Sequence, residues 1–478
     1  MSAEFLDNLF TGSVSRRAFL EKMSSVGAGL PLIASPLAGA VAQQANPKDA
    51  GGAAQSGLDK KYQGLDIDQI PDDKPVFSPA NIGGGGRVER NFYRRWMRVS
   101  KVPSVEGYSI LDARKQEVFP WPEIEGRGVY LNFSGNVHMD GVIYEVPAGK
   151  SLAPRHNFYE QNVIGLVGRG YTIFGSGSKA TKVEWGEGSL FTVPLNVLHR
   201  HYNSDPGKPA RLLAITTFPL MLQLFGSLRL INEMPFDFKD RYDGSPDYFK
   251  RTKRIEQRWD ETNFVHDMRT SELEEWAERG GGDSSIFWKM GGQTILEPHE
   301  SEFEVGSYKL GHRHPYEAII LTLNGQGFSL AGKQGLDESQ SVKLDWQAGS
   351  IVSPPYYWWH QHFNTGKTPA RYFAMTEGDF PKRIGIPLDV QQIEAKQEDP
   401  RIKQRFQQEL KKAGLAEVEP HHNLDDSDHP GLSALNHSNS HEHGHSHEHL
   451  HADGRGHSHD HSHGPGHAHS HPGEPHDV

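Results

Sequence analysis

The chain has 478 residues, of which 35% are hydrophobic, and its 50 basic and 61 acidic residues give a formal net charge of −11 at pH 7. No concentrated basic stripe is present, which argues against a nucleic-acid partner, and no apolar run approaches the roughly 18 residues that a membrane span needs. The chain contains no cysteine, so any metal must be held by histidine, carboxylate or other oxygen ligands.

The N-terminus has the order of an export signal. The pair Arg16-Arg17 is followed by a weakly apolar stretch at 23–37 and by Ala-Val-Ala at 40–42. This order predicts a twin-arginine signal peptide over residues 1–42, cleaved after Ala42. We therefore expect passage through the twin-arginine export machinery and a location in the periplasm or outside the cell.

Two β-rich regions dominate the rest of the chain. After a Gly-, Ala- and Pro-rich linker or arm at 43–87, short apolar runs alternate with Gly/Pro turns at 88–232 and again at 285–392. That spacing predicts barrels or sandwiches. The stretch 233–284 is more polar and richer in helix formers, which predicts an interdomain connection.

The C-terminal end has two parts. An amphipathic helix is predicted over 401–413, within a segment at 393–414, because an apolar period ends at Gly414. The tail at 415–478 contains 18 of the 28 histidines of the chain. Its composition predicts disorder, and metal buffering or loading as its role.

The two β-rich regions are copies of one another. Residues 185–203 match 346–364 at a constant offset, and residues 156–170 match 314–327 with one residue difference. This alignment pairs His156 with His314. A duplicated domain follows, and the fold class predicted is all-β: two tandem barrels with short helical connections and disordered ends.

Four histidines form the candidate metal site. His312 and His314 are one residue apart, and His360 and His362 repeat that spacing. Successive side chains of a strand alternate faces, so each pair projects to one side. Four imidazoles on two strands of one domain predict a site for a transition metal, with Fe, Cu, Ni, Mn and Zn all possible.

Carboxylates near the histidines in the sequence are a second class of candidate ligand. Glu317 follows His314 by three residues, an odd spacing that turns it away on a regular strand. A set of His312, His314 and His360 is therefore favoured, with Glu317 as a possible additional ligand. In the N-terminal copy Pro154 occupies the place of the first histidine. The remaining possible ligands there are His156, Glu160 and His199.

These motifs resemble those of the cupin superfamily. The first motif is His312-Arg313-His314 with Glu317 and Gly325, and the second is formed by Gly349, Pro355, His360 and Asn364. The resemblance covers both β regions and implies a bicupin, a chain of two small β-barrels.

Within the superfamily, the sequences GHRHPYEAI and PPYYWWHQHFN resemble the gentisate and salicylate ring-cleaving dioxygenases. That resemblance implies an Fe(II) site held by His312, His314 and His360, and small-molecule substrate and O₂ as partners. It also implies that His362 hydrogen-bonds substrate or oxygen as a catalytic residue.

An aromatic run next to the second histidine pair predicts a substrate pocket. Tyr356 and Trp358 are two residues apart, and a strand would point both to one side. Together with Asn364 they are the predicted pocket residues. Packing within the barrel core is the competing interpretation of the same run.

The sequence thus favours an exported Fe(II)-dependent dioxygenase that acts on a small aromatic molecule at the C-terminal barrel. A first alternative is a Mn- or Cu-dependent bicupin resembling oxalate decarboxylases or flavonol dioxygenases, which requires Glu317 as a ligand. A second is a non-catalytic periplasmic metal-binding or storage protein. Homo-oligomer formation is also possible.

Overall fold

The structure is a computed structural model. It describes residues 91–100, 102–276, 284–336, 341–393 and 395–420, and short backbone strands at 54–55, 449–450 and 456–457. The export signal predicted over 1–42 lies outside the described residues, as do most of the predicted arm and tail. In the described part of the chain, every helix is too short or too polar to cross a membrane.

The first half of the chain is built mainly from short strands. Its elements are, in order, β1 (Ala54–Gln55), α1 (Phe92–Val99), β2 (Ser104–Gly107), β3 (Ser109–Ile110), β4 (Phe119–Trp121), a 3₁₀ turn (Pro122–Ile124), β5 (Gly126–Phe133), β6 (Asp140–Val146), β7 (Gln161–Val167), β8 (Gly170–Phe174), a 3₁₀ turn (Gly177–Lys179), β9 (Thr181–Trp185), β10 (Leu190–Val193), β11 (His199–Asn203), β12 (Ala210–Thr216), α2 (Phe218–Phe225) and α3 (Leu228–Glu233).

The second half repeats this series. Its elements are β13 (Thr252–Glu256), β14 (Trp259–Thr262), β15 (Phe264–Val265), a 3₁₀ turn (Met268–Thr270), β16 (Glu274–Glu275), β17 (Ser284–Lys289), β18 (Glu297–Phe303), β19 (His312–Arg313), β20 (Ala318–Asn324), β21 (Gln326–Gly332), β22 (Ser341–Gln347), β23 (Ile351–Val352), β24 (Trp359–Asn364), β25 (Ala370–Thr376), α4 (Phe380–Arg383), β26 (Gln391–Gln392), a 3₁₀ turn (Ala395–Gln397), α5 (Pro400–Lys412), β27 (His449–Leu450) and β28 (Gly456–His457).

Each half closes into a barrel made of a large and a small sheet. In the first barrel the large sheet has the order β1-β2-β5-β6-β12-β7-β10-β15, and the small one β11-β8-β9. In the second barrel the orders are β13-β14-β17-β18-β25-β20-β23-β3 and β22-β21-β24-β19-β26. The all-β prediction of two tandem cupin-type barrels is confirmed.

The two barrels exchange strands. β3, from the first half, pairs with β23 of the second barrel, and β15 pairs with β10 of the first. The turns that receive these arms are alike. Gly188 and Gly349 both have positive φ, 84° and 92°, and a Cβ on either would lie within 2.7 Å of an aspartate oxygen of the arm. Only glycine fits such a position without strain.

The large sheets carry apolar residues on both faces. On β12, Leu212 and Ala214 face the core inside the first barrel, whereas Leu213 and Ile215 join a second core. That second core also contains Phe373 of β25, so it lies between the two large sheets. Strands buried on both faces have continuous apolar sequences rather than an alternating pattern.

The connection predicted at 233–284 differs from what the structure shows. It contains strands rather than mainly helix: β14 joins the large sheet of the second barrel, β15 that of the first, and Glu274–Glu275, inside a run of helix formers, pairs with β17. Sheet pairing overrides local helix propensity here. The helix predicted over 401–413 is present as α5, which Asp399 caps and Gly414 follows.

Candidate metal centre

The four predicted histidines lie together inside the second barrel. β19 and β24 are antiparallel, with His312 directly opposite His360. The ring centre of His360 lies 4.3 Å from that of His312, 4.8 Å from that of His314 and 5.7 Å from that of His362. His360 is therefore the centre of the cluster.

Three of these rings are oriented by backbone carbonyls. The Nδ1 atoms of His312, His314 and His360 lie 2.9, 3.0 and 2.9 Å from the carbonyl oxygens of Leu310, Tyr316 and Trp358. A carbonyl only accepts, so each Nδ1 must carry its proton and donate it. The lone pair of each ring is therefore on Nε2, which is the tautomer of a metal-binding histidine.

His362 has a different partner. Its Nδ1 lies 2.7 Å from the Ser329 hydroxyl oxygen, which accepts a hydrogen bond from Trp346 Nε1 at 3.0 Å. That hydroxyl has one proton to donate and a second lone pair to accept with, so its contact allows either tautomer of His362. When the serine donates to Nδ1, the Nε2 atom of His362 carries the ring proton and can donate a hydrogen bond.

Burial keeps the imidazoles of His312 and His360 neutral. Burial, with a smaller contribution from the Lys309 cation, lowers the pKa of His360 to about 4. Burial, followed by the neighbouring His360, His314 and His362, depresses the pKa of His312 well below its usual value. Neutral imidazoles are ready metal ligands, because no proton must be displaced when the ion binds.

The donor set fits a divalent transition metal. The candidate ligand atoms of His312, His360 and His362 lie within 4.8 Å of one another, while the carbonyl contacts place the lone pairs on His312, His314 and His360. We favour the second set, because the hydrogen-bond partner of a ring fixes which nitrogen can bind an ion. Imidazole ligands suit Fe, Cu, Ni, Mn and Zn.

A mainly apolar cavity adjoins His362. It is lined by Phe303, Ile320, Thr322, Ser329, Trp346, Val352, His362, Ala370, Arg371 and Tyr372. The polar members of this lining are His362, Arg371 and the hydroxyl-bearing Thr322, Ser329 and Tyr372. The cavity therefore places His362 beside apolar side chains of the barrel interior.

The predicted pocket residues lie elsewhere. The Asn364 amide donates to the carbonyls of Phe303, Glu304 and Thr368 and accepts from the Gly366 amide. Its polar atoms are therefore used to hold a buried turn, and the prediction that it contacts substrate is corrected. Residue 203 in the first barrel makes the same kind of turn.

The two aromatic residues are not in the wall of the cavity. Trp358 packs against Tyr108, with ring centres 5.9 Å apart, next to the core of the second barrel. Tyr356 is half-buried near two carboxylates: burial raises its pKa, and Glu377 and Glu317 raise it further. For Trp358 the core-packing interpretation fits the structure better than the pocket interpretation.

Glu317 contacts the other barrel instead of the histidine cluster. Its carboxylate accepts hydrogen bonds from the amides of Val137, His138 and Met139, the shortest being 2.7 Å. A carboxylate that accepts several backbone N–H bonds is fully engaged in structure. The suggestion that Glu317 is an additional ligand of this cluster is therefore corrected.

Glu160, in the first barrel, likewise contacts the backbone of the other barrel. Its carboxylate accepts from the amides of Thr294, Ile295 and Leu296 in the second half, and Arg241 lies 3.5 Å away. We call Glu160 and Glu317 the reciprocal carboxylates. Their spacing from the histidines is explained by this shared role, and the suggestion of Glu160 as a metal ligand is corrected as well.

The strand register also corrects the alignment of the two copies. Arg155 is bridged to His199 as His312 is to His360. Leu152 donates its amide to the His201 carbonyl as Lys309 does to that of His362. The counterparts of His312 and His314 are thus Arg155 and residue 157, an asparagine, and the first barrel has lost both histidines of the pair.

His156 therefore occupies the place of Arg313 rather than that of His314. Its Nδ1 lies 2.9 Å from the Asn196 side-chain oxygen, so it has a local structural role. His199 remains in the interior, where burial and then the Arg155 cation lower its pKa to about 3. Arg155 lies over the Tyr144 ring at 4.3 Å. A fixed cation beside His199 opposes binding of a metal ion.

A second group of potential ligands is formed by His138, Glu317 and Glu377. His138 Nδ1 lies 2.8 Å from a Glu377 carboxylate oxygen. Although burial lowers it, the carboxylates of Glu317 and Glu377 raise the pKa of His138 to about 9. A protonated His138 thus supplies the positive charge that two neighbouring carboxylates need.

Comparison with solved structures yields remote likenesses. Vicilin from Corylus avellana (hazelnut) is 11% identical over 56% of this chain and 85% of its own, with a TM-score of 0.37. A mutant salicylate 1,2-dioxygenase from Pseudoaminobacter salicylatoxidans is 12% identical over 56% and 81%, with a TM-score of 0.41. A mutant oxalate decarboxylase from Bacillus subtilis is 13% identical over 76% and 98%, with a TM-score of 0.40. No protein-family model and no curated protein matches the sequence.

The strand order of both barrels and the positions of the histidine motifs decide the fold. The described chain has a bicupin fold. Sequence reasoning found the histidine cluster of the second barrel but missed three features: Arg155 in the first barrel, the pairing of Lys309 with Tyr372 in the second, and His138 between the carboxylates. An alignment without the one-residue gap would have revealed Arg155.

Proposed function

We propose that this bicupin is an exported oxidoreductase of the dioxygenase type, which holds Fe(II) through His312, His314 and His360 and acts on a small aromatic molecule. The observation that carries the proposal is the common orientation of these rings, each with its Nδ1 proton on a backbone carbonyl and its lone pair on Nε2. Three protein ligands leave coordination positions for substrate and O₂.

The chemistry divides between metal and protein. A bound Fe(II) would supply electrons to O₂ and a Lewis-acid site for the substrate. His362, in the cavity wall, would hold a proton on Nε2 and donate it as a hydrogen bond to substrate or oxygen. In a ring cleavage O₂ is the only oxidant, and both of its atoms enter the product.

The alternatives fit less well. A Mn- or Cu-dependent reaction that needs Glu317 as a ligand is disfavoured, because three backbone amides of the first half occupy that carboxylate. The storage alternative depends on the histidine-rich tail, most of which lies outside the described residues. The location in the periplasm or outside the cell is proposed on the order of residues in the predicted twin-arginine signal at 1–42.

The test compares matching histidines of the two barrels in the full chain. His360→Ala removes the central imidazole of the cluster, and His199→Ala removes its counterpart in the first barrel. Iron content and O₂ uptake are measured after anaerobic loading with Fe(II), across a panel of phenolic and benzoic acids. Both variants keep the same tail, so metal bound by the tail cancels in the comparison.

We expect His360→Ala to lose about one ion per chain and at least ~100-fold in O₂ uptake, because the ligand set is broken. His199→Ala should keep both. Uptake that survives in His360→Ala would place the chemistry outside the second barrel. Absence of uptake with every acid, alongside metal that is lost only with His360, would favour the storage alternative.

A further inference from the structure

The strand that carries the first histidine pair has little backbone pairing inside the barrel. β19 is two residues long, and its ladder with β24 has a single position, at which His312 lies opposite His360. One paired position fixes the register of a strand weakly, and a slip of one residue would turn both imidazoles of the pair to the other face. The metal centre therefore depends on a second contact that holds β19.

That contact is made by the chain that follows the second barrel. Residues 389–393, which we call the strap, contain β26, and β19 lies between β24 and β26 in the small sheet. Gln392 of the strap is paired with His312, and the Ile393 amide donates to the Gly311 carbonyl at 2.7 Å. The strand of the histidine pair is thus held along both edges.

Side chains fasten the strap to β19. Arg313 donates from Nε and Nη2 to the Gln391 side-chain oxygen, at 2.9 and 2.6 Å. Its guanidinium carbon lies 4.4 Å from the centre of the Tyr357 ring and 4.7 Å from that of Trp359. The Tyr357 hydroxyl in turn donates to Asp389 of the strap. Because Arg313 stands between the two histidines and points to the opposite face, holding its side chain fixes the face that they present.

The backbone of Tyr357 is strained where it takes part in this contact. Its φ is 60°, in the left-handed region, and Asn196 has a φ of 59° at the matching position of the first barrel. Asparagine tolerates that conformation, whereas a bulky aromatic residue rarely adopts it. Strain that the surrounding contacts maintain is typical of functional sites. Here it brings the tyrosine ring to Arg313 and its hydroxyl to the strap.

The first barrel lacks such a strap. Its small sheet has the order β11-β8-β9, and no strand in the described part of the chain pairs with its counterpart of β19 on the side away from β11. His156, the counterpart of Arg313, contacts Asn196 instead, and Pro154 stands where the second barrel has Gly311. The strap therefore occurs in the barrel that keeps the histidine pair.

We propose that Arg313 and the strap position the ligands of the metal centre. By holding β19 on the side away from β24, they keep His312 and His314 in the orientation in which these residues share one ion with His360. Contacts that orient metal ligands contribute strongly to metal affinity. Arg313 is a positioning residue, because it acts through the strand. The inference rests on the metal site of the proposed function and is independent of the reaction.

Cobalt(II) loaded in place of iron tests the proposal, because its visible absorption reports the number and geometry of its ligands. Spectra and affinities are measured on the full chain as differences from His360→Ala, so that cobalt bound by the histidine-rich tail is subtracted. Affinity is obtained by competition with a chelator. The variants are Arg313→Met, Arg313→Lys, Gln391→Ala and Gln391→Glu, with His156→Ala as the matched change in the first barrel. Thermal unfolding of the metal-free proteins checks the fold.

We expect Arg313→Met and Gln391→Ala to weaken the His360-dependent cobalt affinity by about tenfold or more and to change the absorption spectrum. Gln391→Glu keeps an acceptor for the guanidinium and should retain the affinity and spectrum of the wild type. Arg313→Lys keeps the charge without the planar group and should retain only part of the affinity. His156→Ala should change neither quantity.

A folded Arg313→Met with the cobalt affinity and spectrum of the wild type would overturn the proposal, as would an equal loss in His156→Ala. If Arg313→Met does not fold, the same comparison is decided by Gln391→Ala, at a half-buried residue of the strap. A wild type whose cobalt spectrum equals that of His360→Ala would also overturn it, because the cluster would hold no ion.

The outcome is separable from that of the proposed reaction. Cobalt binding that depends on Arg313, without O₂ uptake by the iron-loaded chain with any acid, would keep the role of the strap and remove the dioxygenase. Uptake of O₂ that is lost in His360→Ala, with cobalt binding unchanged in Arg313→Met, would do the reverse.

Discussion

The interiors of the two barrels share a scaffold and differ in charge. In both, a histidine donates to the carbonyl two residues earlier, as His199 does to that of Val197. In both, the next histidine contacts a hydroxyl that accepts from an indole, as His201 contacts Thr172. These features recur whether or not the first histidine pair is present, so they belong to the fold.

The differences locate the chemistry. The second barrel has His312 where the first has Arg155, and Lys309 where the first has Leu152. One interior holds candidate ligands for a divalent cation, whereas the other already contains the permanent positive charge of Arg155. A duplicated chain thus acts as its own control: what is common to the copies is structural, and what differs marks the functional site.

Restoring the lost pair is the strongest way to test this comparison. In the variant Arg155→His, Asn157→His, both histidines of the first motif are present and the guanidinium is gone. His199 already has its Nδ1 on a carbonyl, so its Nε2 is ready to bind. We expect about one additional metal ion per chain relative to the wild type, measured by elemental analysis after equal loading.

The matched control for that experiment adds His199→Ala to the double variant, which should remove the additional ion. The tail is identical in the wild type and in both variants, so the metal that it binds contributes equally to each measurement. A folded double variant with unchanged metal content would show that something besides the two replaced residues separates the barrels.

The two reciprocal carboxylates should contribute about equally to the stability of the folded chain. Glu160→Ala and Glu317→Ala each leave three backbone amides without their acceptor. We expect each to lower the free energy of unfolding by about 3–5 kcal/mol, measured by urea denaturation. Glu184→Ala, at an exposed carboxylate, is the control and should have little effect.

A further variant, Glu317→Gln, decides whether Glu317 is a metal ligand. Glu317→Gln keeps an acceptor oxygen for the amides, so it should lose less stability than Glu317→Ala and keep the full metal content. Loss of metal in a folded Glu317→Gln would return that carboxylate to the ligand set and revive the Mn- or Cu-dependent alternative.

Much of this architecture could be predicted from the sequence. Repetition of the second motif at a constant offset predicts the duplicated domain. The spacing of His312 and His314 predicts that their side chains lie on the same face of a strand. The exchange of β3 and β15 could not be predicted, because two-residue strands carry no periodicity. The roles of Glu160 and Glu317 could not be predicted either. Their hydrogen-bond partners are backbone amides, which every residue except proline has, so the partner residues cannot be recognised from the sequence.

The misassigned residues have a common cause. His156 was aligned by identity, whereas register depends on which backbone groups pair, and a shift of one residue exchanges the two faces of a strand. Asn364 was assigned to the pocket because it belongs to the motif. Its amide instead satisfies three carbonyls of a turn, a structural demand that is present in both copies.

The smallest expected difference between the copies is a pH dependence. Glu317 lies beside His138, whose counterpart at Glu160 is Ile295; the cation near Glu160 is Arg241, which stays protonated across this pH range. The pKa of His138 is raised to about 9 in the folded chain, above its unfolded value near 6.5. Its stabilisation is therefore fully present below about pH 6.5 and is lost as pH rises through about 9.

We expect the free energy of unfolding of the wild type to fall by on the order of 2–3 kcal/mol between pH 6.5 and 9.5 relative to that of His138→Gln. The window avoids acid pH, where His312 and His360 would take up protons on unfolding, and lies below the range in which Tyr356 ionises. Burial also raises the pKa of Glu317 to about 7, so the triple comparison includes His138→Gln combined with Glu317→Gln, in which neither group titrates. If the wild type and both variants give parallel curves, His138 is neutral between the carboxylates. Glu317 and Glu377 would then need another source of positive charge, and the group of His138, Glu317 and Glu377 would itself become a candidate metal site.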